Sequence, residues 1–123
     1  MKSTLRILLA GLWAFLCTCS WAQTETDWHG YRLLEWECAG QAARLVLPHE
    51  AHPDRYWIWR ARFWGHEPQT DLALLEQGFH VAWIDVANLY GSDRAMARFD
   101  SLYNYLHDTY HLNEKVVLEG FSR

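Results

Sequence analysis

One apolar segment in the middle of the chain constrains the fold more than any other. Residues 79–86 carry Val81, Trp83, Ile84 and Val86, with too few polar residues between them for regular alternation. A strand with one solvated face alternates apolar and polar side chains, whereas a strand covered on both faces is apolar nearly throughout. The segment therefore predicts a strand that is buried on both faces, as in a parallel sheet.

A helix is predicted on each side of this strand. Before it, Thr70 or Asp71 can cap a helix that runs through Gln77, and Gly78 suits the left-handed residue that follows a helix. After it, Ser92 suits the N-cap of a longer helix. Apolar residues then recur at helical steps of three and four, which predicts one buried stripe: Met96, Phe99, Tyr103, Leu106 and Tyr110.

The remaining apolar runs predict four more strands. Residues 31–38 and 42–47 are separated by Ala39-Gly40-Gln41 and predict a hairpin. Residues 56–60 are aromatic and branched, and residues 115–118 form a short apolar run. Because strands and helices alternate after the hairpin, we expect an α/β fold with an N-terminal hairpin and a mainly parallel sheet with flanking helices.

The last predicted strand leads directly into Gly120-Phe121-Ser122. This is the beginning of the pattern G-x-S-x-G, in which a serine lies on a sharp turn after a strand and its hydroxyl is exposed. Such a serine needs a general base, and backbone N–H donors must stabilise the oxyanion. The residues predict Ser122 as the nucleophile and the N–H of Arg123 as one oxyanion donor; the alternative is a serine that only caps a helix.

Three segments carry a resemblance to a known family: residues 57–69, 78–92 and 118–123. Together they resemble the N-terminal half of an α/β-hydrolase, specifically the exported bacterial hydrolases of the prolyl oligopeptidase or esterase-like kind. The resemblance covers about residues 28–123 and implies a truncated α/β-hydrolase domain over residues 23–123, ending one residue after the nucleophile. It also implies that the triad acid and histidine follow Ser122 in the full protein, so that this chain alone would be inactive.

The same resemblance implies a second oxyanion donor in the loop after the third strand. Arg62 and Phe63 are the expected suppliers of that N–H, although the His-Gly or Gly-Gly pair common in esterases is absent there. Alternatively, Arg60 and Arg62 pair with acidic residues; the candidates are Glu67, Asp71 and Asp85.

These features predict a secreted serine hydrolase of ester or peptide bonds that works through an acyl-enzyme and needs no cofactor or metal. We expect a small-molecule, glycan ester or peptide substrate. The alternative is a non-catalytic secreted binding module with an aromatic surface, because the chain holds eight Trp and six Tyr. A net charge of -4 argues against nucleic-acid binding.

The first 22 residues predict a secretory signal peptide. Lys2 and Arg6 precede an apolar run from Ile7 to Leu16, and cleavage is expected after Ala22. The run is shorter than the roughly 20 residues of a membrane span, so we expect no stable span after its removal. The predicted location is secreted or periplasmic, with a lipoprotein anchored through Cys19 as the alternative.

Overall fold

The computed structural model describes residues 22–122, which form six strands and two helices in a single sheet-centred domain. Residues 1–21, which make up nearly all of the predicted signal peptide, and Arg123 lie outside the described residues. Neither described helix has the length and apolar character that crossing a membrane requires. The elements in chain order are β1 (Thr24–Trp28), β2 (Tyr31–Cys38), β3 (Gln41–Leu47), β4 (Trp57–Arg60), α1 (Gln69–Glu76), β5 (His80–Ile84), α2 (Asp93–Tyr110) and β6 (Val117–Glu119).

The sheet is mixed and mostly antiparallel. Its strand order is β1-β2-β3-β5-β4-β6. Three neighbouring pairs, β1 with β2, β2 with β3 and β3 with β5, are antiparallel, whereas β4 runs parallel to both β5 and β6. The prediction of an α/β fold with a mainly parallel sheet is therefore wrong, and the chain is a small β-rich domain.

The physical reason lies in how the strands are connected. Tight turns join β1 to β2 and β2 to β3, and a tight turn can join only antiparallel neighbours. Helical crossovers, which allow parallel pairing, occur only from β4 to β5 through α1 and from β5 to β6 through α2. The alternation of helices and strands in the second half of the sequence therefore does not extend to the first half, where the sheet is antiparallel.

The β2–β3 hairpin was predicted and is confirmed. Its ends pair as Cys38 with Gln41, so the turn consists of Ala39 and Gly40, at φ 50° and 71°. Positive φ at both positions is the two-residue turn that matches the twist of the strands. β1 was not predicted, because its sequence Thr-Glu-Thr-Asp-Trp is mostly exposed and polar and carries no apolar alternation.

The core has two layers, one on each face of the sheet. α2 covers one face through Leu102 and Leu106, and α1 covers the other through Leu75. In β5, Val81 belongs to the α1 layer, whereas Ile84 belongs to the α2 layer. Burial of this strand on both faces is therefore as predicted, although one of its neighbours is antiparallel.

The ends of the two helices agree only in part with the sequence patterns. α1 begins without a side-chain cap, so the predicted caps Thr70 and Asp71 are wrong, whereas Gly78 has the expected positive φ, 87°. In α2 the Ser92 hydroxyl accepts a hydrogen bond from the Ala95 N–H, as predicted.

The buried side of α2 is rotated from the predicted stripe. Its fully buried residues are Ala95, Leu102 and Leu106, while Met96 is 48% exposed. Ala95 is fully buried in the core, although its small side chain gave no apolar signal. The predicted aromatic residues of the stripe lie at its half-buried border: Phe99, Tyr103 and Tyr110.

Candidate functional site

Ser122 lies three residues after the end of β6, in the segment 120–122. Its φ is 64°, in the left-handed region that non-glycine residues rarely occupy, and its side chain is exposed. β6 pairs in parallel with β4, so that Glu119 lies opposite Arg60. The serine thus follows a strand with a parallel neighbour, at the end of the sheet where both strands finish.

The loop after β4 packs against the segment 120–122. The Phe121 ring, next to Ser122, meets the Phe63 ring edge to face at 5.9 Å and lies 5.3 Å from the His66 ring. The Ala61 N–H donates to the Glu119 carbonyl over 3.1 Å. Residues 61–66 and the segment 120–122 therefore form one surface.

The predicted oxyanion residues Arg62 and Phe63 belong to this surface. Phe63 has a φ of 49° and contacts the residue before Ser122. Among residues 22–122, neither the Arg62 N–H nor the Phe63 N–H donates a hydrogen bond to the backbone. Both donors are therefore without a backbone acceptor, while Arg123 lies outside the described residues.

Arg60 connects the loop after β4 to α1 and β6. This role was not predicted from the sequence. Its Nε donates to the Phe63 carbonyl over 3.1 Å, and its Nη2 donates to the His66 carbonyl. Its Nη1 binds Asp71 at 2.5 Å and reaches Glu119 at 3.4 Å. The suggested pairing of Arg60 with Asp71 is confirmed, whereas Glu119 could be found only from the register of β6 against β4.

Two carboxyl groups share the Arg60 guanidinium, and the pKa of one of them, Asp71, is raised. Burial raises the pKa of Asp71 to about 7; hydrogen bonding and repulsion from Glu119 act in the same direction, and Arg60 opposes them. The folded state binds this proton more tightly than the unfolded state does. The contribution of the proton to the free energy of unfolding is therefore fully present below the unfolded pKa of 3.8 and is lost as the pH rises through about 7. The cluster therefore retains a proton into the neutral range.

Arg62 borders two clefts. One has a volume of about 250 Å³ and is lined by Tyr90 and Phe99, and the other, of about 190 Å³, is lined by Trp83 and Asp85. Arg62 lines both. A substrate at this surface would meet aromatic rings and a guanidinium.

The histidines of the described chain do not complete a catalytic centre. No hydrogen bond joins any of them to Ser122 within residues 22–122. His80 is buried at the start of β5 and its pKa is lowered to about 4, mainly by burial. Over the same residues no cluster of His, Cys, Asp and Glu could hold a metal ion.

Comparison with known proteins finds no matching family model, no matching curated protein and no matching solved structure. The resemblance to the α/β-hydrolases is therefore wrong as an assignment of family and fold. The short segments that carried it form a mixed, mostly antiparallel sheet instead of a parallel hydrolase core. The site must be interpreted from its own residues.

Proposed function

We propose that this chain supplies the nucleophile of a secreted serine hydrolase that cleaves ester or peptide bonds. The observation that carries the proposal is Ser122, an exposed serine with a φ of 64° that follows the end of β6 by three residues. Strained backbone conformations concentrate at functional sites, and a sharp turn after a strand exposes a nucleophilic hydroxyl. The edge-to-face contact of Phe121 with Phe63 supports the proposal, because it brings the residue before Ser122 against the loop after β4.

The reaction assigns each group a defined role. The Ser122 Oγ forms a bond to the carbonyl carbon, its proton passes to a general base, and the leaving alcohol or amine departs with a proton. Water then hydrolyses the acyl-enzyme. The N–H groups of Arg62 or Phe63, with that of Arg123, are the proposed oxyanion donors.

The substrate class follows from the reaction and from export. Small-molecule esters, glycan esters and peptides outside the cytoplasm all offer the carbonyl carbon that the mechanism needs. The exported location is part of the proposal and depends on the predicted signal peptide, whose cleavage after Ala22 would place the N-terminus at Gln23. N-terminal sequencing of the exported protein checks that site.

Labelling of Ser122 by a fluorophosphonate tests the nucleophile. The protein produced by its natural host should form a phosphonyl adduct as Oγ bonds to phosphorus and fluoride leaves. Peptide mass spectrometry should place the adduct on Ser122 and show its loss in Ser122→Ala. Ser101→Ala is the matched control, because that hydroxyl already donates to the Ala97 carbonyl on α2; an unlabelled Ser122, or equal labelling of both variants, contradicts the proposal.

The aromatic binding module gains little support from the side chains. Trp57 and Trp59 are 1% and 9% exposed, and Trp83 is half-buried beside Arg44. A sugar-stacking surface requires exposed rings, whereas these indoles pack in or beside the sheet. We therefore favour the hydrolase.

A further inference from the structure

Arg62 is a cation without an acidic partner in the part of the chain that the structure describes. None of the ion pairs formed among residues 22–122 includes it, whereas the neighbouring Arg60 contacts the carboxyl groups of Asp71 and Glu119. The Arg62 Nε is buried and has no hydrogen-bond acceptor. Because this Nε is covered by protein and the residue as a whole is only half-buried, a ligand in a cleft lined by Arg62 would be bound by the terminal Nη groups.

The surroundings of Arg62 describe the ligand. Its guanidinium lies 4.9 Å from the Phe63 ring centre, which leaves the edge of the fork available for hydrogen bonds. The larger cleft beside it holds about 250 Å³ and is bordered by Tyr90 and Phe99. A cavity of roughly 150 Å³ already accommodates a benzene ring, so a ring-sized apolar group fits next to the charge.

The neighbouring charges also favour an anion. Asp85 lines the smaller cleft with Arg62, and its Oδ1 accepts a hydrogen bond from the Ala87 N–H. Arg98 donates to the Asp85 carbonyl at 2.9 Å and brings a second positive charge to this segment. Two arginines and one aspartate leave the region with a positive balance, although Asp85 opposes an anion placed in the smaller cleft.

We propose that Arg62 binds a carboxylate carried by an apolar, ring-sized group in the larger cleft. The guanidinium donates to both carboxylate oxygens in the bidentate geometry that suits this pair, and Tyr90 and Phe99 contact the apolar group. This deepens the proposed function, because it makes the preferred substrate an acid-bearing ester or peptide, but it concerns binding and does not require Ser122 to react.

Benzoate and benzamide form the matched probe pair, since they differ mainly in charge. In NMR titrations of the full chain, benzoate should bind about tenfold more tightly than benzamide, as expected for a hydrogen bond to a charged group. Benzoate should shift the Arg62 Nε–H signal and the backbone signals of Asn88 and Gly91, which line the larger cleft. Benzamide should not shift the Arg62 Nε–H signal.

Variants separate a specific site from general charge attraction. Arg62→Gln should abolish the preference for benzoate, and Arg62→Lys should retain part of it because the charge remains without the planar fork. Arg94→Gln, at an exposed arginine of α2, should leave the preference unchanged. Equal affinity for both probes, an unchanged preference in Arg62→Gln or an equal loss in Arg94→Gln would overturn the proposal.

The two proposals fail separately. Binding is measured in Ser122→Ala as well as in the unchanged chain, and both should prefer benzoate. A retained preference without fluorophosphonate labelling contradicts only the hydrolase, whereas labelling without the preference contradicts only the carboxylate site. The wild-type Nε–H signal supplies a readout that does not depend on the folding of any Arg62 variant.

Discussion

At the scale of single residues, His80 is an ionisable group placed in the core. It is 2% exposed and its Nδ1 has no hydrogen-bond partner. Burial lowers its pKa from 6.5 to about 4, and the positive charge of Arg55 adds to the effect. The folded chain therefore holds His80 neutral at pH values at which the unfolded chain protonates it.

We expect His80 to destabilise the domain in acid. Between pH 6.5 and 4 the unfolded state binds more protons than the folded state. The free energy of unfolding therefore decreases as the pH is lowered, by at most about 3 kcal/mol for this residue. Urea unfolding of wild type and His80→Leu across this range measures the difference, in which the opposite contribution of Asp71 cancels. His107→Gln, at an exposed histidine, should retain the wild-type slope, and a His80→Leu slope equal to that of wild type would contradict the assignment.

At the scale of elements, the connection from α1 to β5 depends on Gly78. Its φ is 87°, and a Cβ placed there would lie 2.7 Å from the His52 nitrogen and 2.8 Å from the Glu50 oxygen. The Gly78 carbonyl also accepts a hydrogen bond from the His52 N–H. The backbone of residues 50–52 thus packs directly on this turn, and both conformation and space require glycine.

Gly78→Ala should destabilise the domain more than the same change in an open turn. Gly40 is the matched control, since its φ is 71° and a Cβ placed there would meet no atom within 4 Å. Both changes introduce left-handed strain of about 1–2 kcal/mol, and overpacking should add about 1–3 kcal/mol at Gly78 alone. Chemical denaturation of the two variants measures this gap, and equal losses would show that the contact with residues 50–52 is not restrictive.

At the scale of the whole molecule, Arg60 joins the elements that form the candidate site. It lies at the end of β4, binds Asp71 of α1 and Glu119 of β6, and donates to the carbonyls of Phe63 and His66. Arg60 thereby connects α1, β6 and the loop after β4, which are distant in sequence, near the segment 120–122. A loss here should affect both the stability of the sheet and the site.

Arg60→Met should destabilise the domain by about 3 kcal/mol, because removal of one partner leaves the buried Asp71 carboxyl and the carbonyls of Phe63 and His66 without this donor. The raised pKa of Asp71 keeps this value at the low end, since that carboxyl can remain protonated. Arg32→Met, which breaks the exposed pair with Glu25, should leave the stability essentially unchanged. Denaturation midpoints at pH 7 compare the two, and similar losses would contradict the bridging role of Arg60.

The sequence was informative where the signal was local. Ser92 as a helix cap, Gly78 after α1 and the β2–β3 hairpin all follow from bonds or conformations within a few residues. The dense apolarity of β5 also predicted its burial on both faces. Strand direction was not predictable in the same way, because an apolar strand is equally buried beside a parallel or an antiparallel neighbour.

For the site, the sequence determined that a serine follows a strand through a glycine and that arginines and acidic residues lie near the end of another strand. Tertiary structure decided which of them meet: β6 beside β4 brings Glu119 to Arg60, Phe121 packs on Phe63, and Arg62 is left without an acidic partner among residues 22–122. The physical reason is the separation in sequence between the residues that interact. Caps, turns and periodic patterns are encoded by neighbours in the chain, whereas strand pairing and the charges it brings together depend on contacts between residues about 60 positions apart, such as Arg60 and Glu119.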